Sequence, residues 1–260
     1  MNPTVSIITV CFNSEKTIRD TIESVLSQDY PSIEYLLIDG GSSDQTLSII
    51  KEYGDRISII VSEQDRGIYD AMNKGIALAS GEIIGMLNSD DIYMNTHVVS
   101  ELIEKMQLEK ADSVFADLVI VDPVDLNKVL RYYDSSYFSP KKFRFGWMPA
   151  HPTFFVKKSL YDKVGRYSLE YKISADYEML IRLLWVEKAS YAYVKKPIVR
   201  MRHGGLSTSG ISRNWLLNRE IVKACKANGI HTNMAILALK IPRKLLSLLT
   251  KKNLAVKAQF

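Results

Sequence analysis

The stretch Glu82-Ile-Ile-Gly-Met-Leu-Asn-Ser-Asp-Asp91 decides how this chain reads. Its first half, through Leu87, is an apolar run of strand length, and its second half is a turn that sets Asp90 beside Asp91. Two adjacent carboxylates straight after a buried strand are costly unless positive charge meets them. A hard divalent cation is the natural partner, because Mg2+ or Mn2+ takes one or two carboxylates plus phosphate oxygens rather than a full protein cage.

Working outward, three earlier segments share this grammar. Val5-Ser-Ile-Ile-Thr-Val10 reads as a buried strand and breaks at Cys11-Phe12-Asn13, where a helix starts near Ser14 with Ile18, Ile22, Val25 and Leu26 on one face. Glu34 to Ile38 is a second strand, ending in Asp39-Gly-Gly-Ser-Ser-Asp44, with Ser43 as the expected N-cap of a helix through Tyr53. Ile57 to Val61 is a third, followed by Ser62 to Gly67 and a helix over about 68–79. Strands alternating with helices predict an α/β fold with a mostly parallel, twisted sheet flanked by helices. Ligands of such sheets bind beyond the carboxyl ends of the strands. The polar clusters at Thr9–Asn13, Asp39–Asp44, Glu63–Arg66 and Asn88–Asp91 all fall on that edge.

The chain lacks both G-x-G-x-x-G after the first strand and G-x-x-x-x-G-K-[ST] anywhere, so dinucleotide and P-loop readings lack their phosphate cradle. A cation at Asp90 would then carry much of the charge of a nucleotide diphosphate. Only two cysteines are present, in no ligand spacing, as suits a reducing compartment. The N-terminus does not read as a signal peptide, and no apolar run reaches membrane-spanning length.

The segments VSIITVCFNSEKTIRDTIESVLSQ, IDGGSSDQT, SEQDRGIYDAMNKGIALASGEIIGMLNSDD and ISADYEMLIRL, in this order, resemble family 2 glycosyltransferases of the GT-A fold. The likeness runs over roughly residues 3–205 and is strongest to bacterial enzymes that extend lipid-linked O-antigen or exopolysaccharide repeat units. It implies a catalytic domain over 1–210, with a nucleotide-binding half (1–95) and an acceptor-binding half (96–210). It also implies roles. Asp39 would bond the uracil ring, with Phe12 and the backbone near Thr9 lining the base pocket. Asp65 and Arg66 would approach base and phosphate. Asn88 and Asp90 stand at the two ends of the family's D-x-D, Asp90 as metal ligand, and Asp176 matches the general base. Two positions depart from the family pattern. Its Asp-Asp-Gly-Ser reads Asp39-Gly-Gly-Ser42 here, and Asn88 replaces a carboxylate. Asp91 would position the donor sugar or serve as a turn acid.

Other expectations come from local chemistry. Trp147 could stack on a pyranose and His151 could bond an acceptor hydroxyl, in the aromatic, glycine-broken stretch Phe143 to Pro152. Asp176 and Glu178 point to different sides of one helix; Glu178 lies beside the acceptor site or pairs with Arg182 at i+4. Val199 to Thr208 reads as a basic, glycine-rich loop from which Arg202 reaches the diphosphate and His203 the diphosphate or the metal.

From Ile211 onward ten lysines and arginines face a single acid, Glu220, leaving 24 cations against 28 acids in the preceding body. This basic helical tail, 211–260, with a leucine stripe over 241–252, is expected to meet an anionic membrane surface. The combined expectation is an inverting, Mn2+- or Mg2+-dependent transferase at the inner face of a bacterial membrane. It would move glucose or galactose from a UDP-sugar to a sugar on a polyprenyl-diphosphate lipid, with no nucleic-acid partner. The alternatives are a nucleotidyltransferase and a non-catalytic sugar-nucleotide or membrane-binding module.

Overall fold

The computed structural model describes residues 2–204 and 211–239. In chain order the elements are β1 (Val5–Cys11), α1 (Ile18–Leu26), β2 (Ile33–Asp39), α2 (Thr46–Lys51), β3 (Ile59–Ser62), α3 (Ile68–Leu78), β4 (Ile83–Met86), β5 (Asp91–Tyr93) and α4 (Val98–Leu108). There follow β6 (Ser113–Val121), β7 (Val129–Tyr133), β8 (Phe155–Lys157), α5 (Lys158–Val164), α6 (Ala175–Ile181), β9 (Tyr191–Arg202), α7 (Ile211–Ala227) and α8 (Met234–Ala238).

The strands form one sheet in the order β3-β2-β1-β4-β8-β6-β9-β5, with β7 paired to β6. β3, β2, β1 and β4 run parallel, and β8 enters antiparallel beside β4. Every residue of β1 is buried, as expected of a strand covered on both faces. Its side chains alternate between two cores. Ile8 and Val10 pack with Met72 and Ile76 of α3, while Val5, Ile7 and Cys11 pack with Ile18, Ile22 and Val25 of α1. Helix α3 lies directly on the sheet at Gly75, where a Cβ would stand 2.4 Å from Ile8 Cγ2.

Several expectations shift. Helix α1 begins at Ile18, after a turn over 14–17, and α2 spans only Thr46–Lys51. Its first N–H groups are met not by Ser43, which turns to Asn13, but by Asp44, whose Oδ1 accepts from Thr46 N at 2.9 Å. The basic stretch from Val199 is strand as far as Arg202: β9 continues through it and pairs with β5, Asp91 opposite Met201. The tail is not set apart over its described length. Ile221, Ala224 and Cys225 of α7 and Leu237 of α8 are buried in the same core as α3 and α6. The leucine stripe of 241–252 lies outside the described residues. No helix among the described residues is long and apolar enough to cross a membrane.

Candidate active site

The carboxyl ends of β1, β2 and β4 open into one cleft of about 1100 Å3, closed on the far side by α6 and by the start of α7. Of the residues singled out from sequence, Phe12, Asp65, Asn88, Asp90, Asp91, His151, Asp176 and Arg202 line it. Thr9, Asp39, Arg66, Trp147, Glu178 and His203 do not.

The acidic turn is pinned from three sides. Asp91 N donates to Asn88 O at 3.0 Å, closing the turn. Thr21 Oγ1 of α1 donates to the Asp91 carbonyl at 2.8 Å, and the Ser14 and Ser89 hydroxyls lie 2.8 Å apart. From β9, Arg202 Nη1 donates to the Asp90 carbonyl at 3.0 Å while Nη2 pairs with Asp20 of α1. Arg202 therefore braces the turn and supplies positive charge behind it.

The turn's own side chains are left short of partners. Asp91 is fully buried, and its Oδ2 accepts from Asn88 Nδ2 at 3.2 Å. Asp91 Oδ1 and Asn88 Oδ1 are buried without a hydrogen-bond partner among the described residues. Burial pushes both aspartates up, Asp91 well above the usual carboxylate range with the neighbouring Asp90 adding to it, and Arg202 partly offsets the rise in each. Orphaned oxygens of this kind fit a hard cation. Among the described residues no three His, Cys, Asp or Glu side chains cluster as a metal cage. A cation here would thus use Asp90, Asp91 and the Asn88 amide oxygen together with oxygens of its ligand.

At the β1–β2 end, Phe12 is 62% exposed on the cleft wall, available for stacking. Asp39 is placed differently from expectation. It is fully buried, accepting from Ser42 N at 3.1 Å, Ser42 Oγ at 2.5 Å and Ser62 Oγ at 2.6 Å. Its oxygens are spent on tying the end of β2 to Ser42 in the following loop and to Ser62 at the end of β3, so it shapes the pocket instead of facing it. Thr9 is likewise buried, 3.2 Å from the Tyr35 hydroxyl. Asp65, unlike Asp39, does reach the cleft. Its Oδ1 accepts from Gly67 N at 2.7 Å, and its Oδ2 lies 2.4 Å from where a Cβ on Gly40 would stand. Asp65 fills the space opened where the family pattern has a second aspartate. Arg66 turns outward to Asp70 at 3.1 Å.

On the opposite wall Asp176 sits in the first turn of α6. Tyr69 Oη lies 3.3 Å from its Oδ1 and donates a shorter bond, 2.6 Å, to the Ile173 carbonyl. Burial raises the Asp176 carboxyl; His151, the Tyr177 N–H and Tyr69 pull the other way without cancelling the rise. His151 is buried, its Nε2 3.0 Å from the Tyr167 hydroxyl, and burial pushes its own pKa down. Glu178 faces away, in a two-pronged ion pair with Arg182 at 2.8 Å for both contacts. The i+4 alternative is the one the helix adopts, and an acceptor-binding place for Glu178 is set aside. Trp147 is half-buried after the 140–145 turn, and His203 is exposed with its N–H on the Val121 carbonyl. Residues not singled out from sequence also line the cleft: Asn13, Lys16, Asp44, Lys172 and Arg213. The helical pattern of α7 placed Arg213 on a tail, and nothing local in the sequence shows that α7 returns to the cleft.

A parallel sheet with an acidic turn at its carboxyl edge, and a further carboxylate lining the same cleft, is the arrangement of a GT-A type glycosyltransferase. The chain belongs to glycosyl transferase family 2, whose profile matches residues 6–165. An uncharacterised glycosyltransferase of Mycobacterium tuberculosis is 35% identical over 182 residues, covering 69% of this chain and 68% of that protein. A PGL/p-HBAD biosynthesis glycosyltransferase of Mycobacterium bovis is 26% identical, covering 82% and 83%. The fold is shared with S. aureus TarS 1-349 in complex with UDP-GlcNAc, at TM-score 0.65 and 19% identity, over 96% of this chain and 75% of that one. It is also shared with the mannosyltransferase PcManGT of Pyrobaculum calidifontis, solved with GDP-Man and Mn2+, at TM-score 0.57 and 17% identity over 99% and 84%.

Proposed function

We propose that this chain transfers a sugar, with inversion at the anomeric carbon, from a UDP-sugar to a hydroxyl of a lipid-diphosphate-linked sugar. The observation that carries this is that Asp176 and the Asn88–Asp91 turn, far apart in the chain, line one cleft. Phe12 stacks on the base and Asp65 accepts from it, in the place first assigned to Asp39. Asn88 bonds a ribose hydroxyl through its amide, and Asp91, held by Asn88, orients the donor sugar. Arg202 keeps the turn from relaxing away from an anionic ligand. Mn2+ or Mg2+ would be held by Asp90 with the oxygens of Asp91 and Asn88, and would supply charge neutralisation at the diphosphate.

Asp176 takes the proton from the acceptor hydroxyl as that oxygen bonds to the anomeric carbon, and the bond from that carbon to the UDP oxygen breaks. A carboxyl raised by burial is a stronger base once ionised, which suits proton abstraction near neutral pH. His151, neutral and buried beside Tyr167, lies on the same wall and bonds the acceptor. The donor is glucose or galactose by the likeness to repeat-unit enzymes. The structural relatives bound to UDP-GlcNAc and GDP-Man widen the panel worth testing. The acceptor is a polyprenyl-diphosphate sugar met at the inner membrane face, with the basic residues after Ile211 drawing the chain to anionic lipid.

The test is UDP binding by calorimetry with and without Mn2+, on the wild type and on Asp90→Ala. Metal-enhanced binding that is lost in Asp90→Ala supports the assignment. Equal binding by both proteins removes Asp90 from it. UDP binding without turnover of any acceptor would favour the non-catalytic module instead.

A further inference from the structure

Ten cations follow Ile211 in this chain and one acid, Glu220, and the structure buries that acid. Glu220, 7% exposed on α7, accepts from Lys172 N at 2.8 Å, Ile173 N at 3.0 Å, Ser174 N at 3.0 Å and Ser174 Oγ at 2.9 Å. These four bonds all run to the turn that leads into α6. Ser174 is the N-cap of α6 but makes no capping bond to its own helix; its hydroxyl is turned to Glu220. Three successive backbone N–H groups are thereby held by a carboxylate from a helix some 50 residues further along the chain. Asp176 stands two residues past the gripped turn. The Ile173 carbonyl in the same turn receives the shorter bond of Tyr69.

We propose that Glu220 is the positioning residue for Asp176, holding from α7 the turn that aims the general base at the acceptor hydroxyl. The proposal rests on the reading of Asp176 as the base. Helix α7 also reaches the cleft through Arg213, seven residues before Glu220 and so on the same helix face. The segment that looked like an appended tail thus acts as part of the catalytic unit. A base displaced by about 1 Å from its working position can cost about a hundredfold in rate, so a device that fixes one turn has a kinetic effect out of proportion to its size.

The experiment uses the full chain and five variants: Glu220→Ala, Glu220→Gln, Ser174→Ala, Asp176→Asn and the Glu220→Ala/Asp176→Asn pair. It measures kcat at saturating donor, UDP affinity by calorimetry, and thermal unfolding. Glu220→Ala should lose about tenfold or more in kcat with UDP affinity held within about twofold. Glu220→Gln, which keeps one acceptor oxygen, should recover part of the loss. Ser174→Ala removes one of four bonds and should fall by about threefold, which keeps the test open if Glu220→Ala fails to fold. With Asp176→Asn already in place, adding Glu220→Ala should change kcat no further, because both act on one step.

Full multiplication of the two losses, or a Glu220→Ala defect that tracks only the fraction of folded protein, would overturn the proposal and leave Glu220 a scaffold residue. Full turnover by Asp176→Asn would instead overturn the base assignment, and is told apart because it does not depend on Glu220.

Discussion

The Tyr69 hydroxyl of α3 stands 3.3 Å from Asp176 Oδ1 of α6, linking two helices more than 100 residues apart in the chain at the cleft. Tyr69 also stacks on Tyr167, with ring centroids 5.8 Å apart, and Tyr167 in turn meets His151. Tyr69 touches Asp176 directly, while His151, Tyr167 and, from β7, Tyr133 are close enough to feel its charge. Tyr69→Phe removes a donor that favours the charged carboxylate, so the acid limb of the kcat–pH profile should move to higher pH. An unmoved limb would show that Tyr69 serves only the Ile173 carbonyl.

Asp176→Asn should lower kcat by about 10² to 10⁴-fold while leaving UDP affinity unchanged, the usual range for loss of a general base. It should also stabilise the fold at neutral pH. Burial raises the Asp176 carboxyl, so the folded chain keeps this proton to higher pH than the unfolded chain. The cost of ionising it is absent below the unfolded value and complete above the folded one. A melting-temperature gain at pH 7 that vanishes towards pH 4 is the expected pattern.

Asp65 and Asp39 should separate cleanly. Asp65→Asn should weaken UDP binding by about tenfold, the worth of one hydrogen bond to a charged group, with little change in unfolding temperature. Asp39→Asn places an amide N–H₂ against the Ser42 and Ser62 hydroxyls and should lower stability by about 1–3 kcal/mol. Calorimetric titration and thermal melts on the two variants decide between a base-reading and a pocket-shaping carboxylate.

Gly75→Ala should destabilise by about 1–3 kcal/mol, measured by urea unfolding, because the added methyl meets Ile8 on the central strand. A neutral substitution would mean that α3 can lift from β1 without loss.

The first four strands were legible because their physics is local. Short apolar runs ending in polar turns repeat four times, and a parallel sheet gathers those turns on one edge. What escaped reading was set by partners distant in the chain. Asp39 looks like a free carboxylate until β3 pairs with β2 and brings Ser62 beside it. Arg202 looks like a loop residue until β9 is seen to pair with β5. Glu220 is one acid among ten cations until α7 packs against α6. The missing second aspartate at Gly40 was visible in the sequence, but its compensation by Asp65 needs the approach of two loops.

The measurement that bears most directly on the account is a transfer assay with a panel of UDP-sugars and a synthetic sugar-diphosphate-lipid acceptor, run with Mn2+ and with EDTA. The product's anomeric configuration is read by NMR. The account predicts metal-dependent consumption of one donor and a product inverted at the anomeric carbon. A product of retained configuration, or transfer that proceeds fully in EDTA, would contradict it.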